Sequence, residues 1–248
     1  MTKLKEIAKK HNLRLVEDSA QAVGARWDNQ GVGAIGDIGT FSFQSSKNVT
    51  AGEGGIVLTN NEEFANTTWS LANVGRVRDG GWYQHERIGW NLRMTEFQAA
   101  ILLAQLTRLE EQVALREKNA TMLTERLSEI DGIAVMRRDP RITTHAWHLY
   151  MFRLDPSFAD QADKTEFIRR LSAEGIPCAP GYIPLNRNKA IISETAKWLG
   201  KEVIYDCPVT ERACAKEAIW MSQNVLLVDD RDIDDIVAAV KKVVDSFA

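Results

Sequence analysis

Residues 41–60 read FSFQSSKNVTAGEGGIVLTN. One lysine, Lys47, stands in a polar turn behind Ser42, Ser45 and Ser46, and five residues later comes the densest glycine cluster of the chain, Gly52-Glu53-Gly54-Gly55. The flanks, Thr40 to Gln44 and Gly55 to Thr59, are apolar runs bounded by turn residues and predict strands. A lysine in such a turn is by itself a solvated side chain. Whether it is a covalent catalyst depends on what the rest of the chain places beside it.

Upstream, residues 2–11 predict a helix with Leu4, Ile7 and Ala8 on one face. A short strand, Leu13 to Val16, then ends in Glu17-Asp18, and the Gly-rich stretch 24–38 predicts a loop. Alternating helix and strand predict an α/β layer with a parallel sheet. Asp18 stands at the carboxyl end of its strand, where open α/β sheets bind ligands. A carboxylate buried there needs a positive partner. With about three strands before the helical stretch that follows, this sheet is small for such a layer and leaves edges and a face uncovered. The chain reads as if it began in the middle of a domain.

Downstream, Asn60 or Asn61 caps a helix carrying Phe64, Ala65 and Leu71. Residues 76–87 form a polar loop, and a long helical pattern runs from about Thr95 to Ile130. Thr95 with Gln98 fits a capping box. A helix of that length would span roughly 50 Å at the standard rise per residue, which suits a bridge between two domains. Its second half, RLEEQVALREKNA, turns charged and places a boundary near 105–115. Beyond it, strands at 133–136, 146–154, 176–180 and 224–228 and helices at 164–174, 211–219 and 231–246 predict a small α+β domain. His145 and His148 fall in HAWHLYMFRL (145–154), which alternates like a strand. Their offset of three puts the rings on opposite faces, so they read as separate residues and not as a metal site.

The composition narrows the function classes. Of 248 residues 44% are apolar and 26% charged, enough for a real core, and the net charge is only −3. That charge draws in neither nucleic acid nor an anionic membrane. No apolar run reaches membrane-spanning length, and MTKLKEIAKKHN is no signal peptide. Cys178, Cys207 and Cys214 form no CxxC and read as reduced thiols of a cytoplasmic protein.

Lys47 and Asp18, at the ends of two strands, match what pyridoxal phosphate requires: an amine for its aldehyde, an acid for its ring nitrogen, and hydroxyl and backbone N–H groups for its phosphate. The full strings VEDSAQAVGA (16–25), FSFQSSKNVTAGEGGIVLTN (41–60) and GWNLRMTEFQAAILLAQL (89–106) closely resemble the DegT/DnrJ/EryC1/StrS family of sugar aminotransferases, in the family's order and spacing. Residues 145–248 resemble its small domain. The resemblance implies an α/β chain of the aspartate aminotransferase-like fold (fold type I PLP). Residues 1–108 would be the second half of a large cofactor-binding domain, here incomplete, and 109–248 a small C-terminal α+β domain, joined by the helix over about 95–130.

Carried over residue by residue, the resemblance makes Lys47 the Schiff-base lysine and proton shuttle. Asp18 becomes the acid on the pyridine nitrogen, Gln21 the side chain near the ring hydroxyl, and Ser42 a phosphate ligand. Asn91 would reach the phosphate from a partner subunit, which implies a homodimer with shared sites. Arg93 and Tyr182 are the candidate substrate contacts. Arg76, Arg78, Arg87 and Arg93 either meet an anionic substrate or form a solvated basic loop. The implied reaction moves an amino group from glutamate or glutamine to a nucleotide-linked keto-sugar or a keto-cyclitol, as in amino-sugar, polysaccharide or antibiotic biosynthesis. Lys47 argues against the family's dehydratase branch, which has histidine there.

Two departures stand out. Full-length members carry a large N-terminal segment that supplies a phosphate-binding helix N-terminus and a ring stacked on the cofactor; without it, poor cofactor binding and exposed apolar surface are expected. Gly181-Tyr182 also replaces the His-Tyr pair of many nucleotide-sugar enzymes, which points toward keto-cyclitol or aminohydroxybenzoate chemistry. The competing reading is a truncated, non-catalytic partner subunit or an inactive fragment of such an enzyme.

Overall fold

The computed structural model describes residues 1–247. In chain order its elements are α1 (Thr2–Lys10), β1 (Val16–Asp18), β2 (Arg26–Trp27), β3 (Gln30–Gly31), β4 (Ile38–Ser42), β5 (Gly55–Leu58), α2 (Glu62–Ala72), α3 (Glu96–Leu106), α4 (Leu109–Leu127), β6 (Ile133–Val135), β7 (Ile142–Thr144), β8 (Leu149–Leu154), α5 (Pro156–Ala159), α6 (Lys164–Ala173), α7 (Lys189–Leu199), α8 (Pro208–Arg212), β9 (Ala218–Ser222) and α9 (Asp230–Asp245). The chain divides into two compact units, Met1–Glu117 with Arg138–His148, and Lys118–Arg137 with Leu149–Ala248. The division therefore falls within α4 and not at residue 108, and residues 138–148 return to the first unit.

In the first unit β1 and β4 pair in parallel, with Asp18 opposite Thr40, and β5 pairs antiparallel to β4. Parallel neighbours need a long connection; here it is residues 19–37, which contain no helix. That stretch, expected to be pure loop, holds the β2–β3 hairpin. Asp28 and Asn29 both take positive φ, 48° and 64°, the requirement of a two-residue type I′ turn. β7 extends this hairpin into a second small sheet. These strands escape a periodicity reading because two or three residues show no alternation. The core of the unit gathers Phe43, Val49 and Leu102, with Val23, Met94 and Leu109 packed against it. Much apolar surface stays open: α1 buries no residue, and Val16, Ile56, Val57 and Leu58 are all exposed.

The single helix expected over 95–130 is two helices. The Thr95–Gln98 capping box starts α3 as expected. At its end the Thr107 hydroxyl takes the Ala104 carbonyl at 2.7 Å, and Arg108 N donates to Gln105 O. The side chain competes with the next helical turn and tightens the backbone there.

The second unit is built on the antiparallel sheet β6-β8-β9. β8 alternates strictly, burying Tyr150, Phe152 and Leu154, and β9 buries Ile219 and Met221. α9 adds Ile233, Ile236, Val240 and Val243 to the core, α6 adds Phe167 and Leu171, and the later turns of α4 add Leu123 and Leu127. Where a strand is expected at 224–228, residues 223–226 form a 3-10 turn after β9. The helix expected at 211–219 ends at 217. The strand expected near 176–180 is reduced to one bridge between Ala179 and Trp220. Short buried apolar runs fit turn and strand alike, so pattern alone does not separate them. Residues 146–148 precede β8, and Trp147 takes a positive φ of 50°. His145 and His148 are thus in a turn and not on a strand.

Candidate active site

Parallel pairing puts the carboxyl ends of β1 and β4 on one edge of the first unit's sheet. Asp18 is the last residue of β1 and Ser42 the last of β4. Gln21 lies exposed in the turn after β1, and Lys47 in the turn after β4. One pairing register thus brings four of the predicted residues to the same edge.

Alternation along β1 separates its two acids. Glu17, which the sequence reading passed over, is 6% exposed and accepts hydrogen bonds from the backbone N–H groups of Gly33 (2.9 Å), Ile35 (2.6 Å) and Gly36 (2.6 Å). It pins the 33–36 loop against the strand. The loop tolerates no side chain at Gly33, which takes φ +87° and where a Cβ would lie 2.4 Å from Phe41 Cζ. Asp18 faces the other way, exposed, with one carboxylate oxygen accepting from Ala20 N at 3.1 Å. The signal for Glu17 was present in the sequence, an acid at the inward position of an apolar strand followed by the amide-rich GVGAIG.

The Ser-rich turn is built on Gln44. Its Oε1 accepts from Ser46 N (2.8 Å) and Ser46 Oγ (2.7 Å), its Nε2 donates to Ser45 Oγ (2.7 Å), and its carbonyl accepts from Lys47 N (2.9 Å). Ser42 Oγ accepts from Gln44 N at 3.3 Å. Gln105 on α3 ties down the far side of the turn by bonding Thr50 through both N–H and C=O, at 3.1 and 2.8 Å. Gly54, at φ +145°, lets Met94 approach: a Cβ there would meet Met94 Cε at 2.8 Å. Three residues before Met94, Asn91 is exposed and its Oδ1 accepts from Arg93 Nε at 2.8 Å.

Lys47 is half-buried, and its ammonium makes no hydrogen bond or ion pair with a described residue. Its neighbour Asn48 is 8% exposed and bonded at both ends: Nδ2 donates to Ala146 O at 2.6 Å, and Oδ1 faces His148 Nδ1 at 3.3 Å. A carbonyl can only accept, so the Asn48 amide nitrogen must face Ala146 and its oxygen must face the imidazole. His148 therefore carries its proton on Nδ1, which leaves Nε2 bare in the neutral ring. Burial pushes the His148 pKa below 6.5, and the charges of Lys47 and Arg116 push it further the same way. A neutral, buried imidazole thus lies within the electrostatic reach of Lys47. Strand alternation, the pattern in which His148 falls in the sequence, gives no sign of this link.

Tyr182 belongs to the second unit. It is exposed, packs edge-on against Trp220 with ring centroids 4.4 Å apart, and lines a cavity of about 370 Å³ with Lys164, Pro184 and Arg187.

The sequence signature of the DegT/DnrJ/EryC1/StrS aminotransferase family matches residues 1–241. The chain belongs to that family. The family is one of pyridoxal phosphate-dependent aminotransferases, and the fold is theirs, fold type I. The chain is 36% identical to the L-glutamine:2-deoxy-scyllo-inosose aminotransferase of Streptoalloteichus tenebrarius, over 97% of this chain and 61% of that protein. It is 34% identical to the 3-amino-5-hydroxybenzoate synthase of Amycolatopsis mediterranei, over 94% and 60%. Among solved structures, a 3-amino-5-hydroxybenzoic acid synthase superposes with a TM-score of 0.84 at 31% identity, covering 98% of this chain and 63% of that one. The chain thus spans about three fifths of the length of the relatives it matches.

The donor set of the sheet edge fits the family's cofactor. It offers a carboxylate with open acceptor capacity and a hydroxyl at the ends of two paired strands, and in the turn that follows an amine with no ionic partner among the described residues.

Proposed function

We propose that this chain carries the catalytic residues of an aminotransferase that moves an amino group from glutamine or glutamate to a keto-cyclitol, with a nucleotide-linked keto-sugar as the related alternative acceptor. The observation behind this reading is Lys47: a half-buried lysine whose ammonium has no ionic partner among the described residues, in the turn that follows the strand end carrying Ser42 and beside the strand end carrying Asp18. When bound, pyridoxal phosphate supplies an aldehyde and an electron-withdrawing ring. Lys47 Nζ would hold the aldehyde at rest and carry the proton to and from the donor's α-carbon. Asp18 would keep the ring nitrogen protonated through charge, and Gln21 would orient the ring from the same turn. Ser42 Oγ would donate to the phosphate, joined by Asn91 of a second copy in a homodimer. Arg93 and Tyr182 would contact the substrates. A relative named for 2-deoxy-scyllo-inosose, and Gly181-Tyr182 in place of His-Tyr, favour the cyclitol.

The test is a visible spectrum of the purified chain with pyridoxal phosphate, followed by borohydride reduction and peptide mass mapping. The expected result is a band that glutamine or glutamate bleaches, a label on Lys47, and loss of both in Lys47→Ala. A folded chain with no band, or one labelled equally at other lysines, would overturn the reading.

A further inference from the structure

The first unit holds a polar cavity of about 410 Å³ between α2 and the loop that follows it. Ser70 on its wall is only 2% exposed, and its Oγ has no hydrogen-bond partner. Arg76 Nε is likewise buried without a partner. Arg78 lies 5.4 Å over the Trp69 ring, with Nη1 3.5 Å from Asn66 Oδ1, and Arg87 completes the wall. Glu62 and Asp79 also reach the cavity, yet no carboxylate of a described residue comes within 4.0 Å of any of the three guanidinium groups.

Both unpaired atoms can donate, and a guanidinium Nε can do nothing else. Buried donors without acceptors are costly, and an acceptor-rich ligand removes that cost. Three arginines lining one cavity favour an anion. Donors arriving from a helix and from several points of a loop surround a tetrahedral group better than a flat carboxylate. We propose that this cavity binds a phosphate monoester, with Arg76 Nε and Ser70 Oγ donating to phosphoryl oxygens and Arg78 and Arg87 supplying further charge. The room left beyond a phosphoryl group accommodates a small organic alcohol portion. The inference makes no use of Lys47, Asp18 or Ser42.

The experiment is calorimetric titration of the chain with inorganic phosphate, glucose 6-phosphate and glutarate, without pyridoxal phosphate. Saturable phosphate binding is expected, tighter for the sugar phosphate and weaker for glutarate. Arg76→Gln should weaken it by roughly tenfold or more, since charge-assisted bonds to phosphate are among the strongest. Ser70→Ala, the milder change, should weaken it several-fold with the melting temperature little altered, so the proposal remains testable if Arg76→Gln fails to fold. Absence of saturable binding overturns the proposal, as does binding that prefers glutarate. Binding that responds to Ser42→Ala and not to Ser70→Ala would place the anion at the sheet edge and overturns it too.

Discussion

The two sheets of this chain are built to different standards. In the second unit β8 alternates buried and half-exposed residues without a break, and Phe152, Leu154 and Ile219 are fully enclosed. In the first unit all four residues of β5 are exposed, and the buried apolar cluster is small. The first sheet nevertheless carries the candidate chemistry. It is held by polar devices: three amides on Glu17, a glutamine at the centre of the lysine turn, and an asparagine clamped to the backbone of Ala146. Apolar packing stabilises the second unit, while directed hydrogen bonds hold the groups that must keep a fixed position in the first.

The sharpest way to break this contrast is to cut each core. Phe152→Ala should destabilise the second unit by about 3–5 kcal/mol, the usual cost of a large cavity, whereas Val57→Ala on β5 should cost about 1 kcal/mol or less because its side chain is already exposed. Denaturant unfolding of both variants checks this, and equal effects would remove the distinction.

The adjacent acids give the next test. Glu17→Ala leaves two buried amides and a half-buried one without their acceptor, at a cost of about 2–4 kcal/mol, and hydrogen exchange at residues 33–36 should accelerate. Asp18→Asn should leave stability within about 0.5 kcal/mol of the parent, as surface changes do, while abolishing the spectral response to pyridoxal phosphate.

A third prediction concerns His148. Its folded pKa lies below the ordinary 6.5, so the folded state binds fewer protons than the unfolded chain. The stability it contributes is fully present above about 6.5 and is lost as pH falls through the depressed folded value. His148→Gln should flatten that part of the acid limb in a melting-temperature series. Lys47→Ala should raise the His148 pKa in a proton NMR titration, because a positive neighbour is removed; an unchanged titration would break the link between the two residues.

The smallest effect expected is at the exposed Lys241–Asp245 pair on α9. Lys241→Ala should shift stability by only about 0.3–0.5 kcal/mol, the worth of an i,i+4 ion pair.

Much of this was legible in the chain. Thr95 with Gln98 marks the start of α3 because a capping box is local chemistry. The alternation of LYMFRL marks β8 because one face is buried and the other is not. The break at Thr107 was not legible, since a hydroxyl that back-bonds to Ala104 looks in sequence like any other threonine in a helix. Neither were β2 and β3, too short to alternate, nor β7, which pairs with β2 across more than a hundred positions.

The sequence by itself determined the family and nominated the candidate residues: the string around Lys47, the acid at Asp18 and the spacing between them carry that family's signature. Only the tertiary structure decided how they are used. Parallel pairing of β1 with β4 places both strand ends on the same edge, alternation turns Glu17 inward and Asp18 outward, and the Asn48 clamp fixes which nitrogen of His148 carries the proton. Those outcomes depend on pairing register and on hydrogen bonds between residues distant in the chain, and register is set by the packing of the whole unit.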